Sequence, residues 1–237
     1  MKPLVSVENL GMVRGKRVIL QDINLEIMEG EILGVIGLSG SGKTTLLSLI
    51  ASILKPTSGK IMYHMHLKDK SDLTRQIGLA LQFPSFYPEL TCIQNLEYFS
   101  RMYGLKSNKS AFSQLLKGVG LEGHEKYEGK HLSGGMQKKL DLACSILHNP
   151  KLLLLDEPTA NLDPLNRNDI WSLIQDLKTS GMTIVLASHF LDEVEQLSNR
   201  TAILHDHQIQ GIEDTEHLKR NRKGRLHEIL SEIVKGK

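Results

Sequence analysis

The stretch Gly37-Leu38-Ser39-Gly40-Ser41-Gly42-Lys43-Thr44-Thr45 determines how the rest of the chain is interpreted. It fits the pattern Gly-x-x-x-x-Gly-Lys-[Ser/Thr] of a phosphate-binding loop. Residues 31–36 before it indicate a short buried strand, and residues 45–50 after it indicate the first turns of a helix. A glycine-rich turn that arose by chance would not need a strand before it and a helix after it. The two flanking elements therefore favour a nucleotide site.

The residue types of this loop suit the binding of a polyanion. Glycines let successive backbone N–H groups point inward, and the helix N-terminus adds the positive end of its dipole. We expect Lys43 to reach the β- and γ-phosphates and the Thr44 hydroxyl to ligate Mg²⁺. The candidate nucleotide-binding residues of the loop are Gly37, Ser39, Gly40, Ser41, Gly42, Lys43, Thr44 and Thr45.

Bulk composition limits the class of protein. The chain has 237 residues, 40% of them hydrophobic, which suits a packed α/β domain or a domain with an inserted subdomain. Its net charge of +2 neither favours nor excludes nucleic acid. With two cysteines, no secretory segment and no run of about 20 apolar residues, we expect a cytosolic chain that reaches a membrane only through a partner.

The order of strand and helix signals predicts the fold. Residues 5–10 and 18–27 alternate as two antiparallel strands joined through Gly11 to Arg17, and an all-helical stretch follows from about 90 to 148. Further strands are predicted at 61–66, 77–81, 152–155, 183–187 and 202–204, with helices at 164–178 and around 192–194. This alternation predicts a mainly parallel α/β core, an N-terminal antiparallel part and an inserted helical subdomain.

The C-terminal residues 219–237 form a separate basic tail. A charge cluster from Lys219 to Arg225 precedes an amphipathic helix with apolar residues from Leu226 to Ile233. A solvated basic turn is the favoured interpretation. Attraction to anionic headgroups beneath a membrane partner is the alternative.

Two adjacent carboxylates follow a buried strand. Asp156 and Glu157 come directly after four leucines, at the strand end where parallel sheets place their ligands. We expect Asp156 to hold Mg²⁺, directly or through water, and Glu157 to polarise an attacking water.

A second phosphate-binding helix end is predicted in the helical stretch. Ser133, Gly134 and Gly135 open a long helix with a capping hydroxyl and free backbone donors. Because these residues lie on a different subdomain from the loop, one nucleotide can use both ends only if two surfaces close around it.

Taken together, residues 4–218 resemble the ATP-binding cassette of the ABC transporter family. The matching segments, in the order of the family, are Gly37–Thr45 (Walker A), Gln82 (Q-loop), Leu132–Met136 (signature), Leu152–Asp156 (Walker B), Glu157 (catalytic carboxylate), Ala160–Asp163 (D-loop) and His189 (switch histidine). The resemblance implies a P-loop NTPase core as residues 1–218, with the helical subdomain inserted in it.

The resemblance also implies roles and partners. Glu157, His189, Gln82 and Lys43 would be catalytic, Gln82 would join Thr44 and Asp156 at Mg²⁺, and Asp163 would contact nucleotide. Two cassettes, as a homodimer or with a second ABC cassette, would sandwich ATP between each Walker A and the partner's signature. A separate membrane-spanning permease would dock near Gln82 and residues 83–88, on the cytoplasmic face. Residues 87–91, 95–96 and 103–105 are similar to the drug, antibiotic and polysaccharide exporter group.

The alternative is a soluble ABC ATPase that acts on nucleic acid or ribosomes. Such relatives carry two cassettes, a long coiled coil or a zinc insert, and this sequence has none of these. No nucleic-acid partner is therefore expected.

Three positions depart from the pattern of the family. Met136 replaces the signature glutamine, and Cys144 stands where arginine is usual. Arg14 lies where the family has an aromatic ring on adenine, and we expect its planar guanidinium to stack on the base instead. Histidines two apart, His64 with His66 and His205 with His207, are interpreted as exposed strand residues rather than metal ligands, since no third ligand is evident.

Overall fold

The computed structural model describes residues 2–67, 70–220, 228 and 231. The strands are β1 (Pro3–Arg14), β2 (Arg17–Met28), β3 (Ile32–Ile36), β4 (Ser58–Tyr63), β5 (Ile77–Ala80), β6 (Leu152–Asp156), β7 (Thr183–Ser188), β8 (Arg200–His205) and β9 (Gln208–Asp214). The helices are α1 (Lys43–Ile50), α2 (Lys70–Gln76), α3 (Cys92–Met102), α4 (Lys109–Gly118), α5 (Gly134–Ile146), α6 (Pro164–Thr179), α7 (Leu191–Leu197) and α8 (Thr215–Arg220).

A three-stranded antiparallel sheet forms the N-terminal part, in the order β2-β1-β4. The strands β1 and β2 are longer than their apolar alternation predicted, so that only Gly15 and Lys16 remain in the turn between them. Gly15 has φ +61°, a backbone conformation that glycine adopts without strain. The prediction of a loop from Gly11 to Arg17 is therefore wrong in its length.

A six-stranded sheet in the order β5-β6-β7-β3-β8-β9 forms the core. Its neighbouring strands are parallel, except that β9 runs antiparallel to β8. Every residue of β3, β6 and β7 is buried, as their near-continuous apolar sequences require. Since these three strands are parallel neighbours, the segments that follow Ile36, Asp156 and Ser188 leave the sheet at the same edge.

The helices α3, α4 and α5 lie between β5 and β6 in the chain and share a hydrophobic cluster of their own. Thr91 and Gln94 form a capping box that fixes the start of α3. The mainly parallel α/β core, the antiparallel N-terminal sheet and the helical insertion confirm the predicted fold class. The limits of about 90 and 148 for the helical subdomain stay a prediction, as does the boundary at residue 218.

Several elements differ from the sequence prediction. The predicted strand at 61–66 ends at Tyr63, and His64 contacts the Ser6 hydroxyl instead of lying on a strand face. The elements α2, β9 and α8 were not predicted. His205 ends β8 and His207 lies in the turn before β9, so these two histidines do not share a strand face.

The predicted amphipathic helix from Leu226 to Ile233 falls largely outside the described residues. Within the part of the chain that the structure describes, no helix combines the length and the apolar character needed to cross a membrane.

Candidate functional site

The loop between β3 and α1 has the backbone that its glycines predicted. Gly40 has φ +81° and Gly42 has φ +107°, conformations that residues with a side chain rarely adopt. Gly42 is the N-cap of α1 and provides no side-chain cap. The first N–H groups of α1 are therefore available to an anion at this end of the helix.

Lys43 lies inside this loop, with only 5% of its surface exposed. Its ammonium Nζ donates to the carbonyl oxygens of Gly37 at 2.7 Å and Leu38 at 3.1 Å, and lies 3.4 Å from Glu157 Oε1. Burial lowers the pKa of Lys43, and the nearby Glu157 carboxylate opposes that shift. The lysine is thus held at the centre of the loop by acceptors that a phosphate group can replace.

Asp156 and Thr44, two of the residues predicted to hold a cation, are hydrogen-bonded to each other. The Thr44 hydroxyl donates to Asp156 Oδ2 at 2.6 Å, whereas the buried Asp156 Oδ1 has no hydrogen-bond partner among the described residues. Burial raises the pKa of Asp156, and the Thr44 hydrogen bond opposes the shift. A carboxylate oxygen and a hydroxyl suit Mg²⁺, which is usually held by one or two carboxylates with waters and substrate phosphates. The residues present fit that ion.

Glu157 is joined to His189 as well as to Lys43. Glu157 Oε2 lies 2.5 Å from His189 Nδ1, although the two residues are 32 positions apart. Glu157 has φ +52°, an uncommon conformation for a residue with a side chain, and its N–H donates to Ala187 O at 2.8 Å. The turned backbone and the parallel pairing of β6 with β7 together bring the carboxylate to the histidine. The carboxylate and the imidazole are therefore within hydrogen-bonding distance of each other at the edge of the cleft.

A buried carboxylate that sequence reasoning missed lies behind this pair. Glu193 on α7 is fully buried, and its Oε1 accepts hydrogen bonds from Thr159 Oγ1 at 2.6 Å and from Trp171 Nε1 at 3.1 Å. Burial raises the pKa of Glu193, and the hydrogen bonds to it oppose that shift. Because Thr159 follows Glu157 by two residues, Glu193 connects the turn after β6 to α6 and α7. Nothing in the sequence around Glu193, an isolated glutamate in a largely polar helix, indicated that its side chain is buried and hydrogen-bonded.

A cleft of about 340 Å³ opens in front of these groups. Of the predicted residues, it is lined by Ser39, Gly40, Gly42, Lys43, Thr44, Thr45, Gln82, Glu157 and His189. Arg17, Ile19 and His207 line it too, although no motif pointed to them.

Arg14 faces Arg17 across the β1–β2 turn and is outside this lining. Gly37 and Ser41 pack against each other in the loop, since a Cβ on Gly37 would lie 2.6 Å from Ser41 Oγ.

Two charged residues of α5 hold the segment that follows Gln82. Lys138 Nζ donates to Gln82 O at 2.6 Å, and Asp141 Oδ1 accepts from Ser85 N at 2.7 Å. Burial lowers the pKa of Lys138 and raises the pKa of Asp141 to about 6. Residues 82–85 are therefore fastened to the same helix that Ser133 opens. We call this pair of contacts the α5 clamp.

Ser133, Gly134 and Asp163 lie on a surface outside the cleft lining. Ser133 is the N-cap of α5, and its hydroxyl accepts from Met136 N at 3.3 Å. Asp163 caps α6 and accepts from the Asn166 side chain, which in turn lies against Gly135, where an added Cβ would be 2.3 Å from Asn166 Oδ1. Among the described residues, the two predicted phosphate-binding sites, the loop at residues 37–45 and the start of α5, therefore do not line the same cleft within one chain.

Comparison with protein families gives a match to the ABC transporter model over residues 20–160. The lantibiotic transport ATP-binding protein SrtF of Streptococcus pyogenes is 34% identical over 206 residues, which are 87% of this chain and 89% of that protein. The bacitracin transport ATP-binding protein BcrA of Bacillus licheniformis is 35% identical over 227 residues, which are 94% of this chain and 74% of that protein.

Solved structures agree with these matches. An ATP-binding subunit of an ABC transporter superposes with a TM-score of 0.82 at 28% identity, over 97% of this chain and 99% of the other. A dimeric ATP-binding cassette in a post-hydrolysis state, bound to ADP and Pi, superposes with a TM-score of 0.78 at 28% identity, over 89% of this chain and 98% of the other.

Proposed function

The chain belongs to the ABC transporter ATP-binding family, and we propose that it hydrolyses ATP to power export through a separate membrane-spanning permease. The single observation that carries the proposal is the meeting of Lys43, Thr44, Glu157 and His189 at one cleft, with Asp156 hydrogen-bonded to Thr44. The relatives named for lantibiotic and bacitracin transport support an antimicrobial compound as the cargo. They give no support to the alternative of a nucleic-acid or ribosome ATPase.

In the proposed reaction, water attacks the γ-phosphate in line with the leaving group. The triphosphate would lie along the N–H groups at the start of α1 and replace the carbonyl and carboxylate partners of Lys43. This exchange would release Glu157 Oε1, which could then accept a hydrogen bond from the attacking water. His189 would keep Glu157 oriented through the Oε2 contact and turn its other ring nitrogen towards the γ-phosphate.

Thr44, Asp156 and Gln82 would hold Mg²⁺ at the same cleft. The unpaired Asp156 Oδ1 supplies the buried oxygen ligand or the acceptor for a metal-bound water. When bound, the ion neutralises charge on the β- and γ-phosphate oxygens. The chain itself contributes the positions of the Thr44 and Asp156 side-chain oxygens, which their mutual hydrogen bond fixes.

Two cassettes would complete each site. The surface that carries Ser133, Gly134, Gly135 and Asp163 would cover the ATP held by the partner's loop, where Ser133 and the glycine amides would contact the γ-phosphate. The Asn166 side chain, wedged between Asp163 and Gly135, would keep the two motifs in fixed relation on that surface. A homodimer or a pair with a second cassette would serve equally.

Two measurements test the proposal. The purified chain should release phosphate from ATP when Mg²⁺ is present, and EDTA should stop the release. The tagged chain, isolated from detergent-solubilised membranes, should bring a polytopic membrane protein with it. An active ATPase that brought down ribosomes or nucleic acid and no membrane protein would overturn the transport assignment.

An apolar surface beside the cleft is where we propose that the permease docks. Phe83 is 80% exposed and directly follows Gln82, and the exposed Tyr87, four residues further along the chain, has its ring centroid 4.6 Å from that of the exposed Tyr98. Exposed aromatic side chains of this kind contribute strongly to protein interfaces. The contact would place the chain at the cytoplasmic face of the membrane through its partner.

Replacing Phe83 by alanine should separate docking from hydrolysis. We expect Phe83→Ala to retain the ATPase activity of the isolated chain and to reduce co-purified permease by about tenfold, the effect of a central interface residue. Ile53→Ala removes another exposed apolar side chain, in the segment that follows α1, and should leave co-purification unchanged. Equal recovery of permease with Phe83→Ala and with the original chain would place the docking surface elsewhere.

A further inference from the structure

Glu193 on α7 is a fully buried carboxylate that the proposed reaction does not use. Its Oε1 accepts hydrogen bonds from two neutral donors, Thr159 Oγ1 at 2.6 Å and Trp171 Nε1 at 3.1 Å. Among the residues that the structure describes, no lysine or arginine forms a salt bridge with it. Because burying a carboxylate without a counter-charge destabilises the folded state, this position favours a role beyond packing.

The contact with Thr159 anchors the turn that carries Glu157. Thr159 lies two residues after Glu157, in a turn that Ala160 N closes by donating to Glu157 O at 3.1 Å. Glu157 has φ +52°, and a residue with a side chain keeps such a conformation only where surrounding contacts hold it. Thr159 is fully buried, so its hydroxyl bonds to Glu193 rather than to solvent. This hydrogen bond therefore helps to hold the backbone that positions the Glu157 carboxylate.

Glu193 also lies close to the residue that precedes His189. Burial raises the pKa of Glu193, and the nearby Ser188 hydroxyl is the largest influence that opposes this shift. The Ser188 oxygen accepts from Phe190 N at 3.0 Å, so its own proton remains available to a second partner. Ser188 and Phe190 flank His189 in the chain. The same carboxylate is thus next to both segments that meet in the Glu157–His189 contact.

We propose that Glu193 is a positioning residue for ATP hydrolysis, which keeps the Glu157 carboxylate and the His189 ring at hydrogen-bonding distance. It is outside the cleft lining and acts through Thr159 and Ser188, which follow β6 and end β7. Reacting groups need to be held within about 0.5 Å of their productive positions, and buried hydrogen bonds behind them provide that restraint. The inference rests on the proposed ATPase function and adds a residue that contacts neither ATP nor water.

Thr159→Val provides the main test, because valine keeps the shape of threonine and removes the hydroxyl that bonds to Glu193. We expect kcat for ATP hydrolysis to fall about tenfold and KM for ATP to stay within about twofold, since only the reacting groups are displaced. Trp171→Phe removes the other hydrogen bond to the same oxygen, from α6 instead of from the turn of Glu157. It should lower kcat less than Thr159→Val does.

Variants of Glu193 itself separate hydrogen bonding from charge. Glu193→Gln can still accept from Thr159 and Trp171 and should keep kcat within about threefold, whereas Glu193→Leu cannot accept and should lose at least about tenfold. Glu195→Leu makes the same change two residues further along α7, outside the cleft lining, and should leave kcat unchanged. Thermal unfolding verifies that each variant is folded, and Thr159→Val decides the matter if Glu193→Leu is not.

A double-mutant comparison distinguishes positioning from a general structural defect. Introduced into Glu157→Gln, Thr159→Val should leave the residual turnover unchanged, because the carboxylate that the turn positions is already absent. The same tenfold loss in both backgrounds would overturn the proposal. So would an unchanged kcat in Thr159→Val, or a loss in Glu193→Gln as large as in Glu193→Leu, and the ATPase proposal would then stand. Absence of hydrolysis by the original chain would instead remove the ATPase proposal itself.

Discussion

Glu157→Gln is expected to reduce ATP turnover by at least about 100-fold, the lower range of what a positioned acid–base group contributes. Glutamine keeps the size of the side chain and can still contact His189, but it cannot take a proton from water. It also removes the negative charge that lies 3.4 Å from Lys43 Nζ. ATP binding should therefore be retained, because the lysine loses a competitor of the triphosphate. Single-turnover phosphate release and equilibrium ATP binding measure the two effects separately.

Glu195→Gln provides the matched control for this experiment. It makes the same chemical change on α7, at a residue outside the cleft lining, and should leave turnover unchanged. A Glu157→Gln variant that hydrolyses ATP within tenfold of the original rate would show that this carboxylate does not orient the attacking water. His189 would then be the group to test next.

Mixing two inactive variants is expected to restore activity. Ser133→Arg places a bulky cation where the partner's ATP must dock, and Glu157→Gln removes the catalytic carboxylate. Each homodimer has two damaged sites, whereas a mixed dimer puts both lesions into one site and leaves the other intact. With random pairing about half of the dimers are mixed, so an equal mixture should recover about a quarter of the original turnover if the sites act independently.

Two controls make this result specific to shared sites. A chain that carries both substitutions, mixed with Glu157→Gln, should stay inactive because every carboxylate is then missing. Ser110→Arg puts arginine at an exposed serine of α4 and should remain active. If the mixture of single variants is inactive at every ratio while the original chain is active, the shared-site model fails or one damaged site disables its neighbour. Cross-linking of the ATP-bound mixed dimer distinguishes these two explanations.

The sequence predicted the elements whose signals are local. The buried strands β6 and β7 were predicted from uninterrupted apolar runs, and the glycines of residues 37–42 predicted the loop between β3 and α1. In contrast, α2 and β9 were missed because their residues are mostly polar and half-buried or exposed, so neither has a clear apolar period. Strand β9 is held by pairing with β8 at the sheet edge, which a local pattern does not reveal.

The composition of the candidate site was less predictable than its existence. The Glu157–His189 contact depends on a positive φ and on strand register, and the position of His189 came only from resemblance. The contact between His207 and Ile19 joins residues 188 positions apart, through the packing of two sheets. Residues that no spacing rule connects can be assigned to one cleft only when the tertiary structure is known.

The α5 clamp has a mechanical consequence for the whole chain. Phe83 and Ser85 lie in the segment that Lys138 and Asp141 fasten to α5, and Ser133 stands at the first turn of that helix. Hydrogen bonds to charged groups contribute about 1.5–3 kcal/mol each, so the segment is costly to detach from the helix. We therefore expect a force applied to Phe83 to move Ser133 together with α5, rather than to bend the segment alone.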